Sequence, residues 1–153
     1  MRISYRWLCR HVDLTDLGPA QVADLLTRHV AEVDGVEPFA PALEAVRVGL
    51  VLERTPHPNA DRLGFCRVDL GEGEPLGIVC GAPNVAGGQR VAVATVGTRL
   101  PGGLEIGRAK IRGVASEGMI CSERELGLSD EHEGIWVLPA EAPLGRPVAE
   151  AFG

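Results

Sequence analysis

The 153-residue sequence predicts a mainly β protein that begins with a small α+β segment. Helical spacing of apolar residues is confined to residues 1–30, whereas short stretches of alternating polarity occupy much of the chain after residue 45. The 20 Gly and 11 Pro supply turns between these stretches. Five or more short strands separated by Gly- and Pro-containing turns are typical of a small closed barrel.

Residues 1–38 are predicted to contain two short helices and one strand, at 31–37. The apolar residues of each helix follow the i, i+3, i+4, i+7 spacing of an element that buries one side. Pro19 suits the first turn of the second helix, where a missing N–H costs nothing. Elements this short cannot enclose a core alone, so we expect segment 1–38 to dock on another surface. The helical stripes are Tyr5, Leu8, Cys9 and Val12 in the first helix, and Val22, Leu25, Leu26 and Val30 in the second.

Residues 39–148 are predicted to form the barrel, which follows a linker at 38–41. Alternating polarity predicts half-buried strands, and the first two are expected to pair as a hairpin. Ser122 and Glu125 have the spacing of a capping box, which predicts one helix in this part of the chain. Residues 149–153 are assigned to a trailing segment. The predicted strands are 46–52, 66–70, 76–80, 90–96, 106–111 and 134–138.

The overall charge argues against a protein that coats nucleic acid or anionic membranes. Fifteen Lys and Arg against 21 Asp and Glu give a formal net charge of −6 at pH 7, so an anion-binding site must be local. Aromatic residues make up only 4% of the chain, which leaves few rings for base stacking. No apolar run approaches the ~18 residues that span a bilayer, and no signal-peptide pattern is present. We therefore expect a cytoplasmic protein that does not bind membranes.

The charges are unevenly distributed along the predicted barrel. Residues 90–112 contain five Arg and Lys against one Glu, whereas residues 113–133 contain one Arg against six Asp and Glu. A basic stretch followed by an acidic one would attract a polyanion to one face and repel it from another. Solvated charge on exposed strands explains the same pattern equally well.

Signals for catalysis and metal binding are weak. His57 and Asp61 offer an imidazole and a carboxylate, but no second His lies at short metal-ligand spacing, and His-Pro-Asn is typical of a turn. The four cysteines form no C-x-x-C pair and are expected to be buried free thiols. Neither a G-x-S-x-G motif nor a phosphate-binding glycine motif is present. The sequence thus predicts no catalytic residue and no metal site.

An ordered series of motifs runs through the chain: HPNADRL at 57–63, CRVDLG at 66–71, IVCGAPN at 78–84, GTRLPG at 97–102, IRGV at 111–114, SEGMICS at 116–122 and ELGL at 125–128. Their order and spacing resemble the tRNA-binding OB-fold domain shared by several aminoacyl-tRNA synthetases and free tRNA-binding proteins. The motifs at 78–84 and 116–128 resemble one branch, the N-terminal part of bacterial phenylalanine–tRNA ligase beta subunits. The openings SYRWL at 4–8 and EVDGV at 32–36 are similar to that branch.

The resemblance implies a five-stranded OB-fold barrel that acts as an accessory domain of a synthetase. It would contribute phosphate contacts and positioning, while catalysis, ATP and magnesium belong to the full enzyme. The implied partners are tRNA, the synthetase alpha subunit and the remaining beta-subunit domains. One face of an OB barrel and its loops accept oligonucleotides. The candidate RNA-binding residues are Arg62, Arg99, Arg108, Lys110 and Arg112 for phosphate, and Asn84 and Ser116 for sugar or base edges.

Two other functions fit the same sequence. The first is a structural or assembly module whose faces are covered by neighbouring domains and which makes little contact with RNA. The low aromatic content and the negative net charge favour it. The second is a free-standing, dimeric tRNA-binding or chaperone-like protein that presents two copies of the basic stretch.

Overall fold

The computed structural model describes residues 1–38 and 40–152, and the side chain of Phe152 lies outside the description. The chain divides into two compact units, Met1–Phe39 and Ala40–Gly153. Among the described residues, no helix is both long enough and apolar enough to cross a membrane.

The first unit contains two helices, α1 (Tyr5–Leu8) and α2 (Pro19–His29). Helix α2 confirms the prediction: Gly18 precedes it, Pro19 occupies its first turn, and the Gln21 side chain accepts a hydrogen bond from the Gly18 N–H at 2.8 Å. Helix α1 is a single turn and ends before Val12, which is exposed. The predicted first helix was therefore too long.

The strand predicted at 31–37 is wrong, because these residues form no regular element. A strand requires a partner for its backbone groups, and the described part of this unit contains no other strand. Val33 instead donates its N–H to the Thr27 hydroxyl at 3.1 Å. Apolar alternation alone did not reveal that a partner was missing.

The second unit is an antiparallel sheet preceded by a short helix, α3 (Ala42–Ala45), which the sequence did not predict. The sheet has the order β3-β2-β1-β4-β7, with β8 paired to β4. Strands β5 and β6 form a separate two-stranded sheet. The strands are β1 (Arg47–His57), β2 (Ala60–Asp69), β3 (Leu76–Cys80), β4 (Arg90–Thr95), β5 (Ala109–Ile111), β6 (Val114–Ser116), β7 (Gly118–Ile120) and β8 (Val137–Leu138).

The strand ladders do not close the sheet into the predicted barrel, because β3 and β7 are not paired as neighbours. Two hydrogen bonds link β3 to the β6–β7 junction instead. The Glu117 N–H donates to the Gly77 carbonyl at 2.8 Å, and the Val79 N–H donates to the Ser116 hydroxyl at 3.1 Å. The predicted hairpin between β1 and β2 is confirmed by their antiparallel pairing.

Strand β4 is buried on both faces, which explains its continuous apolar sequence. Val91 and Val93 belong to one core cluster, which also contains residues of β2 and β3. Ala92 and Ala94 belong to a second cluster, which contains α3 and the C-terminal segment. Because successive side chains of a strand point to opposite faces, β4 separates the two clusters.

Strand β1 contains an irregularity that alters which side chains are buried. Its pairing with β2 shifts register between Val51 and Glu53. As a result Val51 is fully buried, whereas Leu52, an inward position in the predicted alternation, is 45% exposed. An extra residue of this kind bends a strand and increases its twist.

Other predicted elements are present in shorter form. Strand β5 covers only the end of the stretch predicted at 106–111, and β8 covers two residues of 134–138. The capping box forms, with the Ser122 N–H donating to the Glu125 carboxylate at 2.7 Å. The predicted helix does not form, and turns occupy this stretch instead. Gly127 has a φ of 70°, which is incompatible with a continuing α-helix.

The C-terminal segment runs along the first residues of β1. The Gly145 N–H donates to the Val48 carbonyl at 2.8 Å, and the Val148 N–H donates to the Val46 carbonyl at 2.9 Å. A 3₁₀ turn (Val148–Phe152) follows, with Val148 fully buried in the second core cluster and Ala149 and Ala151 packed against that cluster. The stretch assigned to a trailing segment therefore contributes to the core.

Gly145→Ala is expected to destabilise the second unit by about 3 kcal/mol. Gly145 has a φ of 74°, and a Cβ there would lie 2.2 Å from the backbone oxygen of Leu70, so the penalty for positive φ adds to a clash with backbone. Gly73 is a matched control, because its φ is 73° and nothing lies within 4 Å of the added Cβ. Gly73→Ala should lose only about 1 kcal/mol. Urea unfolding measures both, and equal losses would contradict the close approach.

Alkaline pH is expected to destabilise the fold through its buried thiols. Burial raises the pKa of Cys66 from about 9 to about 11 and that of Cys121 to about 12. The unfolded thiols lose their protons near pH 9 while the folded ones keep them. The contribution of the buried thiols to stability is therefore fully present below pH 9 and is lost as the pH rises above it. Urea unfolding from pH 7 to pH 10.5 should show a smaller loss for Cys66→Ala than for the wild type. The exposed Cys9 is the control, and a Cys9→Ser variant that flattened the pH dependence equally would contradict this origin.

Candidate nucleic-acid interface

The turn between β1 and β2 is docked on the turn of the β5–β6 hairpin. His57 is 5% exposed, and its Nε2 lies 3.0 Å from the Ile111 carbonyl oxygen. Its Nδ1 accepts the Asn59 N–H at 3.1 Å, so Nε2 carries the hydrogen and donates to Ile111. The Asn59 side-chain amide donates to the Arg112 carbonyl at 2.9 Å. These contacts bring two loops that are far apart in sequence to one place.

The β5–β6 hairpin has a two-residue turn, Arg112 and Gly113, between the paired residues Ile111 and Val114. Arg112 has a φ of 49° and Gly113 a φ of 90°. Positive φ at both central residues is the requirement of a type I′ turn, whose twist matches that of the adjoining strands. The turn therefore projects the Arg112 side chain from the end of a regular hairpin.

Three of the predicted phosphate-binding residues are exposed cations that form no ion pair within the described part of the chain. Lys110 and Arg112 lie on the β5–β6 hairpin, and Arg62 lies on β2, three residues after Asn59. The docking of Asn59 on Arg112 places these two elements together. We call Arg62, Lys110 and Arg112 the hairpin-end cations.

Two further predicted residues are paired with carboxylates. Arg99 lies 3.1 Å from Glu105, and Arg108 lies 3.7 Å from Glu117. All four side chains are well exposed, and exposed pairs contribute little stability, so either arginine is able to leave its partner for another anion. Arg90, which added to the basic character of 90–112, donates to the Ala142 carbonyl at 2.6 Å and supports the fold.

Ser116 and Asn84, the predicted sugar or base contacts, are engaged in the fold. Ser116 is 3% exposed, and its hydroxyl accepts from the Val79 N–H and donates to the Gly118 carbonyl, both at 3.1 Å. The Asn84 amide forms two hydrogen bonds with the backbone of Ile135, at 2.8 and 2.9 Å. These groups connect strands and loops, and their polar atoms are directed at protein.

The part that His57 and Asn59 play in assembling this surface is not evident from the sequence. The HPN pattern predicted a turn but not the partner of that turn. Two polar side chains with hydrogen-bonding capacity beyond their own turn were the available signal. The hydrogen bonds to Ile111 and Arg112 join residues 54 and 53 positions apart, and no local pattern encodes such pairings.

The thiols of the second unit do not form a reactive site. Burial raises the pKa of Cys66, Cys80 and Cys121, so each stays protonated at neutral pH and is a poor nucleophile. Within residues 1–38 and 40–152, no group of three or more His, Cys, Asp and Glu side chains is placed to hold a metal ion. The exposed cations are therefore the chemical feature of this unit that most clearly suits a ligand.

A mainly antiparallel sheet with exposed cations at a docked hairpin turn defines a small β domain suited to binding a polyanion. The chain belongs to the family of putative tRNA-binding domains, whose model matches residues 46–147. This match includes all eight strands and every hairpin-end cation.

The chain is also similar to phenylalanine–tRNA ligase beta subunits along its whole length. It is 50% identical to that of Geobacillus kaustophilus, covering 100% of this chain and 20% of the relative. The identity is 51% with that of Geobacter metallireducens, over 100% and 19%, and 52% with that of Coxiella burnetii, over 98% and 19%. The chain thus spans about one fifth of the relatives it matches.

Ser116→Ala is expected to destabilise the second unit by about 1–3 kcal/mol. The change leaves the Val79 N–H without its acceptor at a buried position, and an unpaired buried donor carries that cost. Ser129→Ala is the control, because its exposed hydroxyl bonds Glu123 and the Glu131 N–H and surface changes stay within about 0.5 kcal/mol. Urea unfolding decides. If the Ser116→Ala variant were as stable as the wild type, the Ser116 hydroxyl would not stabilise β3.

Proposed function

We propose that this chain is the tRNA-binding part of a phenylalanine–tRNA ligase beta subunit and that its hairpin-end cations contact the tRNA backbone. The observation that carries the proposal is the docking of the β1–β2 turn on the β5–β6 hairpin, which gathers Arg62, Lys110 and Arg112. Membership of the family of putative tRNA-binding domains supports tRNA as the polyanion. Arg and Lys contacts to phosphate give affinity and position without reading sequence.

The overall negative charge is compatible with this function. The formal charge of −6 is summed over the whole chain, whereas binding depends on the field near the contact surface. Acidic residues concentrate at 113–133, after the hairpin turn. Local attraction with repulsion elsewhere would orient a tRNA on the domain.

We further propose that the second unit is an OB-fold barrel. Five strands of its six-stranded sheet follow the order β3-β2-β1-β4-β7. The hydrogen bonds from Glu117 and to Ser116 draw the two ends of that order together. In this architecture, the β1–β2 loop and the late hairpin flank the oligonucleotide-binding face. The hairpin-end cations lie on or beside those two elements.

The first unit is proposed to dock on other parts of a synthetase. Within residues 1–38, seven large apolar side chains are exposed, among them Trp7, Val12 and Val30. An open apolar groove of about 290 Å³ lies in the same unit, lined by residues that include Leu8, Val22 and Leu26. Exposed apolar side chains in the unit that also contains an apolar groove support an interaction surface. In this proposal, the remaining beta-subunit domains and the alpha subunit are the assembly partners.

Chemistry is assigned to other parts of the synthetase. Activation of an amino acid needs an ATP site with magnesium, and we place both in the full enzyme. The tRNA-binding part contributes by holding the substrate in position, which lowers the entropic cost of reaction at a distant site. This chain alone is thus proposed to bind tRNA without acylating it.

Removal of the hairpin-end cations is expected to weaken tRNA binding by roughly a hundredfold at low salt. The triple variant Arg62→Ala, Lys110→Ala and Arg112→Ala loses three phosphate contacts, so the slope of log affinity against log salt should fall by about 2. The measurement is fluorescence anisotropy with labelled tRNA at several salt concentrations.

The control removes the same charge from arginines that are already ion-paired. The triple variant Arg28→Ala, Arg67→Ala and Arg146→Ala breaks the pairs with Asp24, Glu53 and Glu150. It should retain most of the affinity and nearly all of the salt slope. Equal losses of affinity in the two triple variants would mean that binding depends on net charge and not on the hairpin-end cations. A wild-type chain that binds no tRNA at low salt would overturn the proposal.

A further inference from the structure

Arg112 occupies a backbone position that disfavours it. Its φ of 49° is one of two positive values at non-glycine residues within the described part of the chain. The first central position of a type I′ turn favours Asn, Asp or Gly, because other L residues pay a steric penalty there. The hairpin would fold more easily with almost any of the favoured residues.

The surrounding structure holds Arg112 in this conformation. The Asn59 side-chain amide donates to the Arg112 carbonyl at 2.9 Å, and the neighbouring Ile111 carbonyl accepts from His57 at 3.0 Å. The β1–β2 turn therefore holds two successive carbonyl groups by hydrogen bonds, that of Ile111 just before the strained turn and that of Arg112 within it. A residue in an unfavourable φ/ψ region persists only where its environment imposes that conformation.

The Arg112 side chain itself gives nothing to the fold. It is exposed, and within residues 1–38 and 40–152 its guanidinium has no ion pair or hydrogen bond. Among the described residues, the one hydrogen bond that Arg112 makes outside its own hairpin is through its backbone carbonyl, which accepts from Asn59. A strained, immobilised backbone that carries an unengaged cation is a poor arrangement for stability and a good one for presenting a charge to a ligand.

We infer that Arg112 is the principal phosphate-contacting residue of the interface and that Asn59 is its positioning residue. This inference rests on the proposed function and deepens it. A guanidinium on an immobilised turn is pre-organised to bind a phosphate through two parallel N–H donors. Lys110 extends from a regular strand position, and Arg62 extends from the part of β2 where the pairing with β1 shifts register. Both supply attraction with less geometric constraint than Arg112.

Replacing Arg112 by Asn is expected to raise stability and to weaken tRNA binding. Arg112→Asn places a favoured residue in the turn, so the urea midpoint of the second unit should rise. The same variant should bind tRNA about tenfold more weakly and lose close to one phosphate contact from the salt slope. Lys110→Gln is the matched control. It removes one charge from the same hairpin at a regular strand position, so it should weaken binding less and leave the urea midpoint unchanged.

A double-mutant cycle tests the positioning role of Asn59. Asn59→Ala should weaken tRNA binding several-fold when Arg112 is present and should have no further effect when Arg112 is already Asn. A residue that merely supported the fold would weaken both forms alike. Urea unfolding of each variant shows that the proteins compared by anisotropy are folded.

The possible results separate this inference from the proposed function. If the wild-type chain fails to bind tRNA, the proposed function is overturned. If the wild type binds and Arg112→Asn binds equally well, only the role of Arg112 is rejected. A drop in affinity with no rise in the urea midpoint would reject the strain argument, and additive effects of Asn59→Ala and Arg112→Asn would reject positioning by Asn59.

Discussion

The register shift in β1 at Leu52 is the constraint on which the rest of the second unit depends. On the N-terminal side of the register shift near Leu52, β1 lies between β4 and the C-terminal segment. On the C-terminal side of the shift, β1 pairs with β2 and with neither of those two elements. One strand therefore belongs to both core clusters. Its far end carries His57, whose position decides where the β5–β6 hairpin docks.

Polar groups connect the sheet at the points where strand ladders end. Ser116 and Glu117 join β3 to the β6–β7 junction, and Asn84 fixes the loop after β3 to Ile135. Each group satisfies a backbone donor or acceptor that would otherwise lack a partner. The same reasoning separates the arginines: Arg90 is bound to a carbonyl inside the fold, whereas the hairpin-end cations face solvent. The hairpin-end cations, whose side chains form no hydrogen bond or ion pair within the described residues, are therefore available to a ligand.

The sequence predicts an element correctly where the residues of that element are sufficient to specify it. Strand β3 has the predicted bounds, and α2 begins with the predicted proline. The errors lie where distant partners decide. The stretch 31–37 alternates in polarity but has no strand beside it, and Leu52 lost its inward position to a bulge that only the pairing with β2 reveals. The capping box at Ser122 formed without its helix, because Gly127 at positive φ turns the chain.

The sequence by itself determined the mainly β character, the uneven charge and the candidate cations, because composition, periodicity and motif spacing are local properties. Only the tertiary structure decided which candidates face solvent. It directs Ser116 and Asn84 to backbone partners, pairs Arg99 and Arg108 with carboxylates, and leaves Arg62, Lys110 and Arg112 at a docked turn. The physical reason is that burial and pairing depend on contacts between residues separated in sequence, by 6 positions for Arg99 and Glu105 and by 54 for His57 and Ile111.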